Sequence, residues 1–401
     1  MNSPSSSAPA RLISAFAFLL VLTVSVIPQA QGQAFSVVHN FSGGSDGGDP
    51  LAGLIIDGVG NLYGSASSGG AYGYGAVFMV DPTDVQTVRH SFTGGSDGAY
   101  PEGGVIIDKW KNLYGTTTEG GVSGAGTVFR ITAAGKETVL YSFTGKDDGS
   151  DPEAGLVKDA AGNLYGTTTA GGVNGNGTVF KLSPPKTKGG PWTEEVLYSF
   201  GTGTDGTIPV AGVTLDAAGN IYGTTSAGGA YGYGTVFQLT ESGSVWTENI
   251  LHNFQDGDDG AVPYAGLISD KSGNLYGAAT DGGTGGGGTV FELTSANGVW
   301  TFNVLYSMTG WGISGAFRNL VMDAAGNIYG TTHCDGIYTA GTIYKLSHSS
   351  GSWKYTSLHV FTGGTDGLFS FSNLVFRKGL LYGTTKQGGA NTFGVVFAVK
   401  P

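Results

Sequence analysis

The chain has 401 residues, of which 74 are glycine, 11 % are aromatic and only 12 % are charged. Its many large apolar side chains argue against disorder, because they can be buried, and its low charge argues against long solvated helices. The net charge of −11 disfavours nucleic acid or an anionic membrane as a partner. A single cysteine, Cys334, excludes an intrachain disulfide and a multi-cysteine metal site.

Residues 1–34 have the composition of a secretory signal peptide. Arg11 precedes an apolar run over residues 12–27, and small residues follow Pro28, as in a cleavable leader. The run is shorter than the about 20 residues that a membrane-spanning helix needs. We expect cleavage after Gly32 or Ala34, export to the periplasm or the cell exterior, and no membrane span in residues 35–401.

One unit repeats seven times over residues 35–401. Its clearest copies are GLVKDAAGNLYGTTTAGGVNGNGTVFKL at 155–182 and GVTLDAAGNIYGTTSAGGAYGYGTVFQL at 212–239. In the third unit, turn signals separate four short runs typical of strands, at residues 156–159, 163–168, 178–182 and 196–200. No unit has the 3.6-residue apolar period of a helix. The tyrosine of the (L/I)YG core recurs every 51 to 57 residues, at Tyr63, Tyr114, Tyr165, Tyr222, Tyr276, Tyr329 and Tyr382.

Four strands in each unit of about 50 residues predict an all-β protein, a seven-bladed β-propeller with antiparallel blades. A parallel β-helix is the alternative, but its coils are usually shorter and it needs polar caps. Residues 36–41 resemble a fourth strand and residues 395–399 a third strand. The N-terminal strand should therefore complete the last blade and close the ring, removing two open sheet edges. We expect one monomeric domain.

Several repeated residues are interpreted as structural. A position near the end of the fourth strand is either histidine or tyrosine, which favours an amphipathic ring with one hydrogen bond over a general base. An aspartate at one turn position of six units, within a D-x-x-G-N turn in five of them, is interpreted as a turn cap. Tryptophans before the fourth strand are interpreted as blade packing. The ring position is occupied by His39, His90, Tyr141, Tyr198, His252, Tyr306 and His359; the tryptophans are Trp192, Trp246, Trp300 and Trp353.

A second set of aspartates lies in the loop after the fourth strand. In one such loop, DGDDG, the candidate calcium ligands are Asp256, Asp258 and Asp259, since Ca²⁺ prefers oxygen ligands. The spacing does not match the twelve-residue helix–loop–helix pattern, and Asp-Gly is also an ordinary turn. We expect no cofactor, with calcium as the alternative.

The loops from fourth to first strand and from second to third strand should share one face of the ring, because antiparallel connections alternate between its two ends. Loops on a rigid frame commonly carry binding residues, here around the channel mouth. Rings between glycines can stack on sugars or peptide side chains, or fold over neighbouring loops. The candidate ligand-binding residues are Tyr72, Tyr74, Tyr231, Tyr233, Trp311, Arg318, Tyr338 and Phe393.

The sixth unit departs most from the repeat. His333, Cys334 and Asp335 replace a glycine-rich loop, and these types could form a thiol nucleophile with its base. Adjacent loop residues seldom point at one another, however, and drift of the repeat explains the same pattern.

The units LYGTTxxGGxxGxGTVFxL, each preceded by a segment such as VLYSFTGGxDGxxP, resemble the GloVer tandem-repeat family of exported bacterial proteins over the whole mature chain. The resemblance implies a secreted or surface-displayed protein and no particular activity. A weaker similarity to kelch repeats supports propeller geometry alone. Two functions stay open: a non-catalytic propeller that binds a glycan or protein on its loop face, and a secreted hydrolase or lyase of carbohydrates or esters at the channel mouth.

Overall fold

The computed structural model describes residues 35–201, 203–309, 315, 318–349 and 351–401. The predicted signal peptide and Trp311 lie outside the described residues. Within these ranges every regular element is a β-strand, because the sequence supplies short β-type runs between turns rather than a helical apolar period.

The strands form seven four-stranded antiparallel sheets, which confirms the predicted seven-bladed propeller. Blades 1 to 3 contain β2 (Ile55–Ile56), β3 (Leu62–Ala66), β4 (Ala76–Val80) and β5 (Gln86–Ser91); β6 (Ile106–Ile107), β7 (Leu113–Thr117), β8 (Thr127–Ile131) and β9 (Glu137–Ser142); and β10 (Val157–Lys158), β11 (Leu164–Thr168), β12 (Thr178–Ser183) and β13 (Thr193–Ser199). Blades 4 and 5 contain β15 (Thr214–Leu215), β16 (Ile221–Thr225), β18 (Thr235–Ser242) and β19 (Val245–Asn253); and β20 (Ile268–Ser269), β21 (Leu275–Ala279), β22 (Gly286–Ala296) and β23 (Val299–Thr309). Blades 6 and 7 contain β24 (Val321–Met322), β25 (Ile328–Thr331), β26 (Thr342–Ser349) and β27 (Ser352–Val360); and β28 (Val375–Arg377), β29 (Leu380–Thr385), β30 (Val395–Val399) and β1 (Phe35–Asn40). A small separate pair joins β14 (Gly206–Thr207) to β17 (Ala227–Gly228).

The N-terminal strand closes the ring, as predicted. β1 pairs antiparallel with β30, with Phe35 opposite Val399 and Asn40 opposite Val395. The first strands are shorter than the sequence indicates: β10 covers Val157–Lys158 where residues 156–159 were expected. Only these two residues pair with the second strand, Val157 with Tyr165 and Lys158 with Leu164.

Large apolar side chains fill the spaces between blades. The third-strand Phe129 of blade 2 meets Phe92 of blade 1 edge to face, with ring centroids 5.1 Å apart, and most junctions repeat this contact. Side-chain hydroxyls of the second strands tie neighbouring blades together: Thr116 donates to the Ala154 carbonyl at 2.8 Å, and Thr384 donates to the Ala52 carbonyl at 2.9 Å across the closing junction. Closure therefore uses the same contacts as the other junctions.

The (L/I)YG tyrosines and the outer tryptophans are packing residues, as predicted. Tyr165 is 9 % exposed and packs with Ile221 and Phe237 of the next blade. Trp300 lies edge to face on Tyr222 of the preceding blade, with centroids 5.8 Å apart. These side chains therefore stabilise the contacts between neighbouring blades.

The turn aspartates act as caps. Asp159 accepts hydrogen bonds from the Asn163 backbone N–H at 2.8 Å, from the Asn163 side chain at 2.7 Å and from the Tyr165 hydroxyl at 3.2 Å. Burial opposes ionisation, but the hydrogen bonds from Asn163 outweigh it and lower the pKa of Asp159. In the seventh blade, which lacks this aspartate, Arg377 bonds Asp84 of blade 1 at 3.1 Å and lies over the Tyr382 ring.

Candidate functional site

The first strands surround a central cavity of about 200 Å³. Its wall includes a glycine from each of several blades, such as Gly104, Gly155 and Gly212. A Cβ added to Gly212 would lie 2.8 Å from the Gly155 carbonyl oxygen, and one on Gly53 would lie 2.0 Å from the Asn373 side-chain oxygen. At these two positions only glycine permits such a close approach of neighbouring blades.

Arg318 lines this cavity and is half-buried. It directly precedes the channel residue Asn319, at a position where the other six units have only alanine, glycine or serine. Glu102 and Glu153 stand two residues before the channel glycines of blades 2 and 3, and both interact electrostatically with Arg318. Both residues lie in the segments that enter β6 and β10, and because each interacts with Arg318, which lines the cavity, we place the two carboxyl groups near its mouth.

The charges at this mouth stand apart. Among the ion pairs of the described residues, none joins Arg318 to Glu102 or Glu153 within 4.0 Å. Burial raises the pKa of Glu102 against the opposing charges of Arg318 and Lys386. Burial and the nearby Glu102 charge raise the pKa of Glu153, whose Oε1 accepts a 3.4 Å hydrogen bond from Thr169. The mouth therefore presents one guanidinium and two carboxyl groups across a shared space.

His333 packs between two phenylalanines. Its ring centroid lies 4.4 Å from that of Phe369 and 4.3 Å from that of Phe371. Burial, aided by the positive charge of Lys386, lowers the pKa of His333 to about 4. The imidazole is therefore neutral at pH 7 and forms part of an aromatic patch.

Cys334 does not have the environment of a reactive thiol. Burial and the charge of Asp335 raise its pKa, whereas nucleophilic cysteines have a lowered pKa. The Asp335 carboxylate accepts a hydrogen bond from Thr332, and the His333 ring packs at a tilt against the two phenylalanines. The geometry gives the predicted catalytic trio no support, and a catalytic role for it stays a prediction.

The aromatic loop candidates fall into two groups. Tyr74 folds over the next loop, since a Cβ on Gly94 would lie 2.7 Å from its ring, and Phe393 covers Gly43 in the same way. Both rings, like Tyr233, are 39 % exposed. A second group projects further into solvent: Tyr72 is 61 % exposed, Tyr231 57 % and Tyr338 54 %. This second group is available for stacking.

The loop aspartates are the hydrogen-bond partners of the His/Tyr rings. His252 Nε2 lies 2.9 Å from Asp259 Oδ2, and Asp259 also accepts a bond from the Gln255 N–H at 3.1 Å. Tyr141 donates to Asp148 in the same way at 2.9 Å. The calcium candidates Asp256 and Asp258 are exposed, and the described part of the chain has no cluster of three or more His, Cys, Asp or Glu side chains placed to hold a metal.

Of the charged residues at the mouth of the cavity, the sequence motifs identify only Arg318. Glu102, Glu153 and Lys386 carry no recognisable motif, and the repeat spacing hides them because they lie in different units. A comparison of the units at each position would have found the signal: the residue two before the channel glycine of blades 1 to 5 is leucine, glutamate, glutamate, valine or tyrosine.

The sequence matches the Gloeobacter/Verrucomicrobia repeat over residues 23–219 and again over 211–401. Among curated proteins, no sequence relative matches the chain. Within the described residues, no helix is long and apolar enough to cross a membrane.

Two solved structures show the same fold at low sequence identity. One is the extracellular domain of a protein assigned as a one-component system of B. thetaiotaomicron, with 9 % identity, a TM-score of 0.59, and coverage of 91 % of this chain and 40 % of that one. The other is a protein assigned as a 6-phosphogluconolactonase of Bacteroides uniformis, with 13 % identity, a TM-score of 0.52, and coverage of 80 % and 88 %. The present chain thus spans less than half of the first protein. At such identities the likeness concerns the fold alone.

Proposed function

Because the chain belongs to the Gloeobacter/Verrucomicrobia repeat family, we propose that it is an exported, non-catalytic propeller that binds a glycan on its loop face. Export is supported by the leader-like residues 1–34 and by the resemblance to a family of exported repeat proteins. The low fraction of charged residues and the net charge of −11 disfavour an anionic partner.

The observation that carries this proposal is the exposure of Tyr72, Tyr231 and Tyr338 at equivalent loop positions of blades 1, 4 and 6. The loops of Tyr72 and Tyr231 are held by hydrogen bonds to the fourth strand: the Ala71 N–H donates to Ser91 at 3.1 Å, and the Ala230 N–H donates to the Asn253 side chain at 2.8 Å. A tyrosine on a fixed loop loses little conformational entropy on binding. Its flat apolar face fits the C–H face of a sugar ring, and its hydroxyl can bond sugar hydroxyls.

A glycan array with the purified mature protein, followed by calorimetry on the best ligand, tests this proposal. Replacing Tyr72, Tyr231 and Tyr338 together by alanine should weaken binding at least about tenfold, on the order of 1.4 kcal/mol, without lowering the melting temperature. The matched controls are the corresponding tyrosine-to-phenylalanine variant, which keeps the rings, and Val122→Ala, which alters an exposed apolar residue of another loop. A blank array, or equal binding by the triple alanine variant, would refute the proposal.

A second candidate function is a hydrolase or lyase at the channel mouth. It is favoured by Glu102 and Glu153, whose raised pKa values suit a carboxyl group that keeps its proton and acts as a general acid. A screen of carbohydrate and ester substrates between pH 5 and 8 tests it. Turnover that is lost in Glu153→Gln, with ligand binding retained, would replace the binding proposal by the enzymatic one.

A further inference from the structure

We propose that the central cavity is a separate subsite that takes the terminal residue of a neutral sugar chain. This inference rests on the proposed function and deepens it: the outer tyrosines would stack along the glycan, while the channel would recognise its end.

The first support is the separation of charges that could otherwise pair. Arg318, Glu102 and Glu153 interact electrostatically, yet among the described residues no ion pair closes the gap to 4.0 Å. Each of these groups is half-buried, and unpaired charges in such a place are costly. A ligand that accepts hydrogen bonds from the guanidinium and donates to the carboxylates would satisfy all three. Vicinal hydroxyl groups of a sugar do both.

The second support is the balance of charge, which favours a neutral ligand. Arg318 and Lys386 are opposed by Glu102 and Glu153. An anionic ligand would meet the carboxylates and a cationic ligand the guanidinium, and each of these approaches carries a repulsion of like charges. A neutral polyhydroxylated ligand meets neither penalty.

The third support is the size and lining of the cavity. Its volume of about 200 Å³ is well above the roughly 10–15 Å³ that a single buried water needs on the same measure, which leaves room for a small ligand such as one sugar ring. Ile55, Ile106 and Val213 line it together with Tyr264. These apolar surfaces can contact the C–H face of the ring, while the charged groups above bind its hydroxyls.

The variant Arg318→Ala is a suitable test because alanine occurs naturally at the same repeat position in blades 1, 3, 4 and 5, as Ala52, Ala154, Ala211 and Ala265. We would measure saturation-transfer NMR and calorimetry with glucose, galactose, mannose and N-acetylglucosamine, and with glucuronic acid and glucosamine as charged probes. At least one neutral sugar should bind, and more tightly than both charged ones. Arg318→Ala and the double variant Glu102→Gln/Glu153→Gln should each weaken that binding at least tenfold, while Val122→Ala, at an exposed residue of another loop, should leave monosaccharide binding unchanged.

Three results would overturn the inference: no neutral monosaccharide binds, a charged sugar binds best, or Arg318→Ala binds like the parent. If Arg318→Ala lowers the melting temperature, the sugar binding of Glu102→Gln/Glu153→Gln becomes the deciding measurement, because glutamine keeps the volume of glutamate. Failure of this inference is distinct from failure of the proposed function. A glycan bound through the tyrosines but insensitive to Arg318 would remove only the channel subsite, whereas a blank array would remove the loop-face function.

Discussion

The junctions between blades are built in two different ways in the two halves of the ring. At each junction the His/Tyr ring of one blade faces a residue on the fourth strand of the next blade. This residue is the one that pairs with the end of the third strand in that next blade. Between blades 1 and 4 that residue is acidic, and between blades 4 and 7 it is aromatic. The acidic junctions use Glu137, Glu194 and Glu248, and the aromatic junctions use Phe302, Tyr355 and Phe35.

In the acidic junctions a carboxyl group meets the loop aspartate across the blades. The Tyr198 hydroxyl lies 3.2 Å from both Asp205 and Glu248. Burial, together with the hydrogen bond and charge of Asp205, raises the pKa of Glu248 to about 8. Burial and the neighbouring aspartates raise the pKa values of Glu137 and Glu194 to about 7. These junctions therefore hold a proton near neutral pH.

In the aromatic junctions the same space is filled by a stacked ring. Phe302 lies on His252 with centroids 3.7 Å apart and the planes 7° from parallel, and Phe35 lies on His359 with the same geometry. Burial lowers the pKa of His252 despite the opposing effect of Asp259. The comparison teaches that one repeat position can hold either a protonated carboxyl group or an aromatic ring. The two junctions of blade 4 respond to pH with opposite signs: the raised pKa of Glu248 lowers stability as the pH rises, whereas the lowered pKa of His252 lowers stability as the pH falls.

The largest effect should come from removing β1, which supplies both the closing strand and the aromatic residue Phe35. Deleting residues 35–42 should cost several kcal/mol, because it exposes β30 as a long apolar edge. Urea unfolding of the truncated and mature proteins measures this loss, with removal of residues 400–401 as the control. Equal unfolding midpoints would show that the ring does not depend on this closure.

Phe302→Ala should cost about 3 kcal/mol, the lower part of the range for emptying a packed aromatic site. Glu248→Ala, at the corresponding acidic position, should lower the free energy of unfolding by less than about 1 kcal/mol at pH 7. The loss is small because the folded protein has to keep this buried carboxyl group protonated. Val299→Ala on the same strand as Phe302 is the control, since Val299 is 67 % exposed. Equal losses at the two junctions would contradict the distinction between them.

Raising the pH should weaken the acidic junctions. A glutamate with a raised folded-state pKa contributes its full stability below about pH 4.3, its unfolded pKa, and loses it as pH rises through the folded value of about 7 or 8. The triple variant Glu137→Gln/Glu194→Gln/Glu248→Gln should therefore gain melting temperature over the parent progressively from pH 5 to pH 9. Gln86 occupies this position naturally in blade 1, where it donates to the Asp46 carbonyl at 3.1 Å. A difference that does not vary with pH would disprove the proton-holding role.

Converting one junction to the other type should give the smallest change. Glu248→Phe should stabilise the protein by about 1 kcal/mol at pH 8, the usual contribution of an aromatic pair, through contact with Tyr198. At pH 5 the gain should shrink, because the protonated Glu248 already satisfies the site. Thermal melts at the two pH values measure this, with the exposed Glu241→Phe as control; no gain at pH 8 would show that the two solutions are not interchangeable.

The charged mouth and the cross-blade partners were decided by tertiary structure alone. Glu102, Glu153 and Arg318 come from blades 2 and 3 and from the segment that enters blade 6, and no local rule brings them together until the ring closes. The pairing of His252 with Asp259 was equally hidden, because local rules do not fix the geometry of the loop that follows β19 and carries Asp259. The partner Glu248 of Tyr198 lies a whole repeat away, at a position that other blades fill with a ring.

The sequence by itself determined the number of blades, the all-β class, the strand carrying ring closure and the structural role of the repeated tyrosines and turn aspartates. These features depend on local rules repeated seven times: turn chemistry at D-x-x-G-N, apolar strand runs, and a terminal strand that lacks a partner in its own unit. The charged mouth and the acidic or aromatic partners of the His/Tyr rings obey no such local rule. They depend on the side chain that each unit presents to its neighbour, so only the closed ring established which charges face each other and which rings remain exposed.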